Sequence, residues 1–189
     1  MGASPAPFSR TQMPVDLNHN HFEMFGVPAK FRVDLPALET RYRELQREVH
    51  PDRFVSASQA EQRVSMQLAT RVNEAYQTLK SPLARASYLL RLHGVDPELE
   101  TNTAMPAEFL GEQLELREAL EEAVAANDVE RLGALSSSLK KERDSLLAKI
   151  ETQLDAQGAW REAAATLRQL MFLEKFGEEI GASEERMEY

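Results

Sequence analysis

Apolar residues recur every three or four positions over most of the chain after residue 34, and this spacing predicts helices. The first of them, DLPALETRYRELQREVH, begins with Asp34 as its N-cap and has Pro36 in its first turn. It ends near Val49, because the residue before a proline is pushed out of the helical region and Pro51 has no backbone N–H. Its apolar face consists of Leu38, Tyr42, Leu45 and Val49.

A second helix over about residues 57–79 presents a matching apolar face: Val64, Leu68, Val72, Ala75, Tyr76 and Leu79. Two such helices joined by a stiff corner predict an antiparallel hairpin. Ser81-Pro82 interrupts the pattern, and LARASYLLRLHG then continues it to Gly94, a residue typical of helix ends.

Residues 95–105 are polar, are broken by Pro97, and are predicted to form a linker. Three longer helical patterns follow, over about 106–126, 129–158 and 159–180, and the short loops between them predict an antiparallel three-helix bundle. The sequence thus predicts an all-α protein with a flexible tail (1–18), an N-terminal helical domain (19–94), the linker, and a C-terminal domain (106–189).

Composition narrows the class of protein. The chain is 42% hydrophobic and 28% charged, as is typical of a soluble globular protein. It has no cysteine, which excludes disulfides, zinc ribbons, thiolate-bound iron–sulfur clusters and cysteine nucleophiles. We expect a cytoplasmic protein, since the cysteine-free composition suits a reducing compartment and no apolar run approaches the roughly 18–20 residues of a membrane span.

Charge is spread unevenly along the chain. Residues 1–94 hold 12 Lys or Arg against 9 Asp or Glu, whereas residues 95–189 hold 10 against 22. This asymmetry indicates two modules with different electrostatic roles. With a net charge of −9 and no concentrated basic stripe, the chain is not expected to bind nucleic acid.

The His-Pro-Asp corner at 50–52 allows two interpretations. It is a helix stop in which Asp52 caps the following turn, or it is a rigid display of polar groups for a partner. An enzymatic role would need a nucleophile or a third group that orients His50, and none lies nearby in the sequence. Arg43 and Arg47, four residues apart and away from the apolar face, favour docking onto an acidic partner, although a solvated face remains open.

These segments resemble a J-domain over about residues 19–94, on the strength of HFEMFGVP, YRELQREVHPDRF and RVNEAYQTLKSPLARASYLLRLHG. J-domains stimulate ATP hydrolysis by DnaK-type chaperones through the His-Pro-Asp loop and basic residues of the preceding helix. The resemblance implies chaperone-binding roles for Arg43, Arg47, His50, Pro51, Asp52 and Arg53. Glu39 and Glu44 depart from the pattern, because these positions are often basic in general J-proteins, and they point to a dedicated chaperone.

The remainder resembles the HscB family, the J-type co-chaperones of iron–sulfur cluster assembly, in FLGEQLELREALEEA, LKKERDSLLAKIETQLD and LRQLMFLEKF. There is no Gly/Phe-rich linker or cysteine-rich module of the kind found in DnaJ. The resemblance implies two protein partners, an HscA-like chaperone and an IscU-like scaffold. It implies neither an enzymatic activity nor a resident cofactor, and a monomer is expected, with weak self-association left open.

The C-terminal helices show apolar residues outside their core stripes. In the helix over 106–126 the stripe is Phe109, Leu116, Leu120 and Ala123, and Leu110 and Leu114 lie roughly 100–140° away from it. In the last helix the stripe is Trp160, Ala163, Leu167 and Met171, while Phe172 and Phe176 face away. Either these residues contact a partner, or a wider arc of each helix is buried.

The HscB resemblance implies that the offset residues belong to a scaffold-binding face formed by Leu110, Gly111, Leu114, Glu115, Glu118 and Phe172. Gly111 stands where relatives often have a larger apolar residue, which weakens that part of the face. Two alternatives stay open: a general J-protein that delivers unfolded clients, and a metal-dependent helical-bundle enzyme. Helical-bundle enzymes of that kind typically bind their metal ions through Glu-x-x-His motifs, and this chain has no such motif.

Overall fold

The computed structural model describes residues 16–99, 101–102 and 104–187. These residues form helices joined by turns and loops, and they contain no strand. Most of the predicted tail, residues 1–15, lies outside them. Seven α-helices follow one another: α1 His21–Phe25, α2 Leu35–Val49, α3 Gln59–Lys80, α4 Pro82–Leu92, α5 Ala107–Ala125, α6 Val129–Glu151 and α7 Trp160–Met187. A 3₁₀ turn spans Pro51–Phe54 and a π-helical segment spans Thr152–Gln157. The all-α prediction is confirmed.

Packing divides the described chain into two compact units, 16–29 with 33–80, and 30–32 with 81–187. This division places α4 with the C-terminal helices, whereas the sequence pattern grouped it with the hairpin. The reason is that α4 packs against α7, and that His93 at its end stacks on Trp160 with ring centroids 3.6 Å apart. Periodicity shows that a helix has an apolar face but not which neighbour covers it. The predicted domain boundaries remain a prediction about which parts fold on their own.

Residues 30–32 join the second unit through hydrogen bonds to one carboxylate. The backbone N–H groups of Phe31 and Arg32 donate to the two oxygens of Asp155, at 2.6 and 2.9 Å. The guanidinium of Arg85 lies 5.0 Å from the centroid of the Phe31 ring, and burial lowers the pKa of Arg85 while the nearby Asp155 opposes that shift. Sequence reasoning gave no sign of these contacts, since Asp155 is more than 120 residues from Phe31 and Arg32 and Arg85 is more than 50 residues from Phe31.

In the first unit, α2 and α3 form the predicted hairpin. Their facing apolar side chains are buried, namely Leu38, Leu45, Val49, Leu68, Val72, Ala75 and Leu79. Tyr42 is only half-buried and stacks on Tyr76, with ring centroids 4.0 Å apart and planes 7° from parallel. The buried Ser65 hydroxyl donates to the carbonyl of Val49 at 2.7 Å. That bond satisfies one of the carbonyls that the end of α2 leaves without a helical partner.

The ends of these two helices follow from their caps. Asp34 accepts the N–H of Ala37 at 3.0 Å, as its predicted N-cap role requires. At the other end of α2, His50 is extended (φ −60°, ψ 130°), as expected before a proline. Helix α3 begins at Gln59 rather than at 57, because Ser58 and Glu61 exchange hydrogen bonds in a capping box.

In the second unit, α5, α6 and α7 share one core. It is built from Phe109, Leu120, Ala123, Leu132, Leu139, Leu173, Phe176 and Ile180. Phe176 is 1% exposed, so the wider buried arc is the correct interpretation for that residue. Two members of the predicted stripe on α7, Trp160 and Met171, are only half-buried. The π-helical segment before α7 is followed by Gly158, whose φ of 62° is readily adopted by glycine.

One half-buried carboxyl in this unit should lower the stability at neutral pH. Burial raises the pKa of Glu142 above its ordinary value of 4.5, and the like charge of Glu112 raises it further, while a hydrogen bond from Gln113 opposes the shift. The folded state therefore binds this proton more tightly than the unfolded state does. Stability falls as the pH rises from about 4.5 through the raised pKa of Glu142.

We therefore expect Glu142→Gln to raise the melting temperature at pH 7 and to change it little below pH 4. The gain should stay below about 1 kcal/mol, because solvent screens a half-exposed charge. Thermal melts of both chains at the two pH values measure it, and Glu112→Gln should give a smaller gain of the same sign. A lower melting temperature for Glu142→Gln at pH 7 would show that the ionised carboxylate stabilises the fold.

Candidate functional site

The His-Pro-Asp corner is held by its own backbone. The N–H of Asp52 donates to Nδ1 of His50 at 3.2 Å, and the N–H of Arg53 donates to the His50 carbonyl at 3.0 Å. Because Nδ1 accepts a hydrogen bond, the neutral imidazole carries its proton on Nε2. The side chains of His50 and Asp52 are 57% and 85% exposed. The corner thus presents the His50 imidazole, which is held by the Asp52 N–H, and the Asp52 carboxylate to solvent.

An open groove of about 710 Å³ lies between α2 and α3 beside this corner. It is lined by Arg43, Gln46, Arg47, Val49, His50, Pro51, Arg53, Ala69 and Asn73. Five of the six predicted chaperone-binding residues therefore line one groove, and Asp52 lies next to it in the corner. All of the charged residues lining the groove are basic, which suits an acidic surface of a partner.

Sequence reasoning missed the polar floor of this groove. The Gln46 amide donates to the Tyr42 hydroxyl at 2.6 Å, and that hydroxyl donates to the Asn73 side chain at 2.8 Å. The network joins α2 to α3 directly beside the arginines. Its only sequence signal is the spacing of four between Tyr42 and Gln46, which places the two on one helix face but gives no hint of Asn73.

The predicted client-binding residues on α5 are exposed. Leu110 is 47% and Leu114 is 59% exposed, and Gly111, Glu115 and Glu118 are also exposed. A Cβ atom at Gly111 would meet no other atom within 4 Å, so the surface there is open. We call Leu110 and Leu114, which are neighbours one helical turn apart, the leucine edge. It is a small apolar surface with glutamates beside it.

Phe172 lies at the inner boundary of this face. It is half-buried, packs against the core of the second unit, and meets Phe109 edge-on with ring centroids 6.0 Å apart. The guanidinium of Arg117 lies 6.0 Å from the Phe172 ring centroid and forms an ion pair with Glu179 at 3.2 Å. Arg117 is about 20° around α5 from Leu110, so Phe172 borders the leucine edge rather than projecting from it. Sequence reasoning did not single out Arg117.

Two observations bear on other classes of function. Across 16–99, 101–102 and 104–187, no three or more histidine, aspartate or glutamate side chains come together as a metal site would require. No helix within those ranges has the length and apolarity needed to cross a bilayer.

Comparison with known families and proteins identifies relatives of this chain. Residues 105–181 match the family described as the HSCB C-terminal oligomerisation domain. A curated relative from Burkholderia thailandensis, named co-chaperone protein HscB homolog, is 52% identical over 175 residues. The aligned part covers 93% of this chain and 99% of that relative.

Two solved structures resemble this chain over most of its length. Chaperone HscB from Vibrio cholerae has a TM-score of 0.79 and 38% identity, with 89% of this chain and 99% of that chain covered. Human co-chaperone protein HscB has a TM-score of 0.82 and 32% identity, with 96% of this chain and 93% of that chain covered. The similarity therefore extends over both units of the chain.

Proposed function

This chain belongs to the HscB family of co-chaperones, and from that premise we propose that it activates an HscA-like chaperone of the DnaK type and delivers an IscU-like scaffold protein to it. Activation means that the chaperone hydrolyses ATP faster when this chain is docked. Delivery means that the same chain also holds the scaffold, so that the chaperone acts on it during assembly and transfer of an iron–sulfur cluster. In this role the protein is an adaptor and performs no bond-breaking chemistry itself.

Each proposed contact uses a surface already described. The chaperone docks on the groove and corner of the first unit, through Arg43, Arg47, His50, Pro51, Asp52 and Arg53. The scaffold docks on the leucine edge and its surroundings in the second unit, through Leu110, Gly111, Leu114, Glu115, Glu118 and Phe172. The two groups of residues differ in chemistry, since the first is polar and basic and the second is apolar with acidic neighbours.

The observation that carries the proposal is the separation of these two surfaces into different units of one chain. A groove whose charged lining is basic suits an acidic docking surface, and electrostatic complementarity of this kind sets orientation and association rate. A few exposed apolar side chains surrounded by polar ones have the composition of a specific protein contact. A holder of unfolded clients would instead need a broad and adaptable apolar surface.

The proposal is tested by measuring ATP turnover of a purified HscA-like chaperone. This chain alone should hydrolyse no ATP, it should accelerate the chaperone, and an IscU-like scaffold should raise the rate further. Hydrolysis by this chain alone, or no effect on the chaperone, would contradict the proposal. If an unfolded polypeptide replaced the scaffold with equal effect, the chain would be a general J-protein.

A further inference from the structure

The arginines of α2 differ in how far neighbouring carboxylates neutralise them. Arg43 is paired with Glu39, with 2.6 Å between guanidinium nitrogen and carboxylate oxygen. Arg41 is shared between Glu44 and Glu48, at 3.1 and 3.5 Å. All of these contacts lie within one helix.

Arg47 and Arg53 form no ion pair with any residue within 16–99, 101–102 and 104–187. Both line the groove beside His50, as does Arg43. Of the three arginines in the groove, one is therefore held by a carboxylate of its own helix, and the positive charge that a partner meets is concentrated at the corner end.

The Glu39–Arg43 pair has the favoured orientation on a helix, with the acid four residues before the base. Its side chains are 51% and 67% exposed. Glu39 occupies one of the five guanidinium N–H donors of Arg43 and partly neutralises its charge, so a partner's carboxylate gains less from binding Arg43. An exposed pair of this type contributes about 0.3–0.5 kcal/mol, which corresponds to about a twofold change in an equilibrium constant. The negative charge of Glu39 also repels an acidic partner directly.

We propose that Glu39 is a specificity-determining residue of the chaperone site, because it partly neutralises Arg43 and so weakens the contact of Arg43 with the partner. The partner that fits best then places its carboxylates opposite Arg47 and Arg53. A chaperone whose acidic group faces Arg43 binds less well, both because Arg43 is already paired and because Glu39 is close. This inference rests on the proposed chaperone contact and names which part of the groove carries it.

The test compares Glu39→Gln with Glu44→Gln. Both substitutions remove one negative charge from α2, but only the first releases Arg43; the second loosens Arg41, which does not line the groove. The concentration of each chain that gives half-maximal stimulation of an HscA-like chaperone is measured at low and at raised ionic strength. For Glu39→Gln this half-maximal concentration should be about two- to threefold lower than for Glu44→Gln. The difference between the two variants should shrink as the ionic strength rises.

A second comparison uses the arginines themselves. In the natural sequence, Arg43→Gln should weaken docking less than Arg47→Gln does. In a chain that already carries Glu39→Gln, Arg43→Gln should abolish the tighter docking that Glu39→Gln produced, because that improvement comes from the released Arg43 guanidinium. The melting temperature of every variant should stay within about 2 °C of that of the natural chain, since an exposed ion pair contributes little stability.

Two results would overturn the inference. One is equal improvement by Glu39→Gln and Glu44→Gln, which would reflect net charge alone. The other is a loss for Arg43→Gln in the natural sequence as large as the loss for Arg47→Gln, which would mean that Glu39 does not weaken the contact of Arg43. Failure of the natural chain to stimulate the chaperone at all would be distinct from both, since it would overturn the proposed function together with this inference.

Discussion

A chain carrying His50→Gln should lose nearly all stimulation of its chaperone partner while keeping its fold. Nδ1 of His50 is occupied by the Asp52 N–H, so Nε2–H is the group left for a partner, and glutamine offers no ring to place a donor there. Loss of a central contact in an interface costs at least about 2 kcal/mol, or about thirtyfold in affinity. Because the side chain is 57% exposed, the melting temperature should change by about 1–2 °C at most.

The measurement is ATP turnover of the HscA-like chaperone against increasing concentration of the variant. His19→Gln is a matched control, because His19 is an exposed histidine of the same unit that lies outside the groove. It should stimulate as the natural chain does. If His50→Gln stimulated normally, the corner would be only a helix stop, and if the variant unfolded, the corner would have a structural role.

Replacing both residues of the leucine edge, Leu110→Ala with Leu114→Ala, should greatly weaken scaffold binding with little effect on stability. Anchors of an interface cost more than about 1 kcal/mol each when truncated, so the pair should lose at least about tenfold in affinity. The two side chains are neighbours on α5, and their effects need not add. Buried leucines would instead cost about 2–5 kcal/mol of folding stability each, through the cavity they leave.

The experiment compares the affinity for an IscU-like scaffold, the melting temperature, and chaperone stimulation without scaffold. Leu92→Ala is the matched control, because Leu92 is 41% exposed and belongs to the same unit but lies on α4. We expect normal melting and normal basal stimulation for all variants, and weak scaffold binding only for the leucine-edge pair. Unchanged scaffold binding would place the client site elsewhere, and a large fall in melting temperature would show that the leucines stabilise the fold.

Phe172→Ala is a less decisive variant than the sequence pattern indicates. The ring packs edge-on against Phe109 and lies under Arg117, so truncation would disturb the core and a cation–π contact together. Part of any loss in scaffold binding would then come from local unfolding around Phe172, where the core of the second unit borders the leucine edge. The leucine edge avoids this, because its side chains project beyond the packed surface.

Local chemistry made much of the fold predictable. Asp34 and Pro51 bracket α2 because a cap and a missing N–H act on the backbone within a few residues of themselves. The apolar faces of α2 and α3 match at regular spacing, so the hairpin between them could be predicted as well. The same reasoning placed Leu110 and Leu114 outside the core stripe of α5, and both are exposed.

Contacts between distant residues could not be predicted in this way. The packing of α4 against α7 depends on partners such as His93 and Trp160, which no period in the sequence links. Phe172 and Phe176 are four residues apart on one face, yet one is half-buried and the other fully buried. Their difference depends on where α5 and α6 lie against α7, and the pattern of a single helix does not contain that information.

If one chain must hold the chaperone and the scaffold together, two variants that each lack one surface should not replace it when they are mixed. Equal amounts of the His50→Gln chain and of the chain with Leu110→Ala and Leu114→Ala together contain an intact scaffold surface and an intact chaperone surface, but on separate molecules. This mixture should give only the basal stimulation that the Leu110→Ala, Leu114→Ala chain gives alone, and the scaffold should add nothing until the natural chain is supplied. Full scaffold-dependent stimulation by the mixture would contradict this expectation, because the two surfaces would then act without being joined.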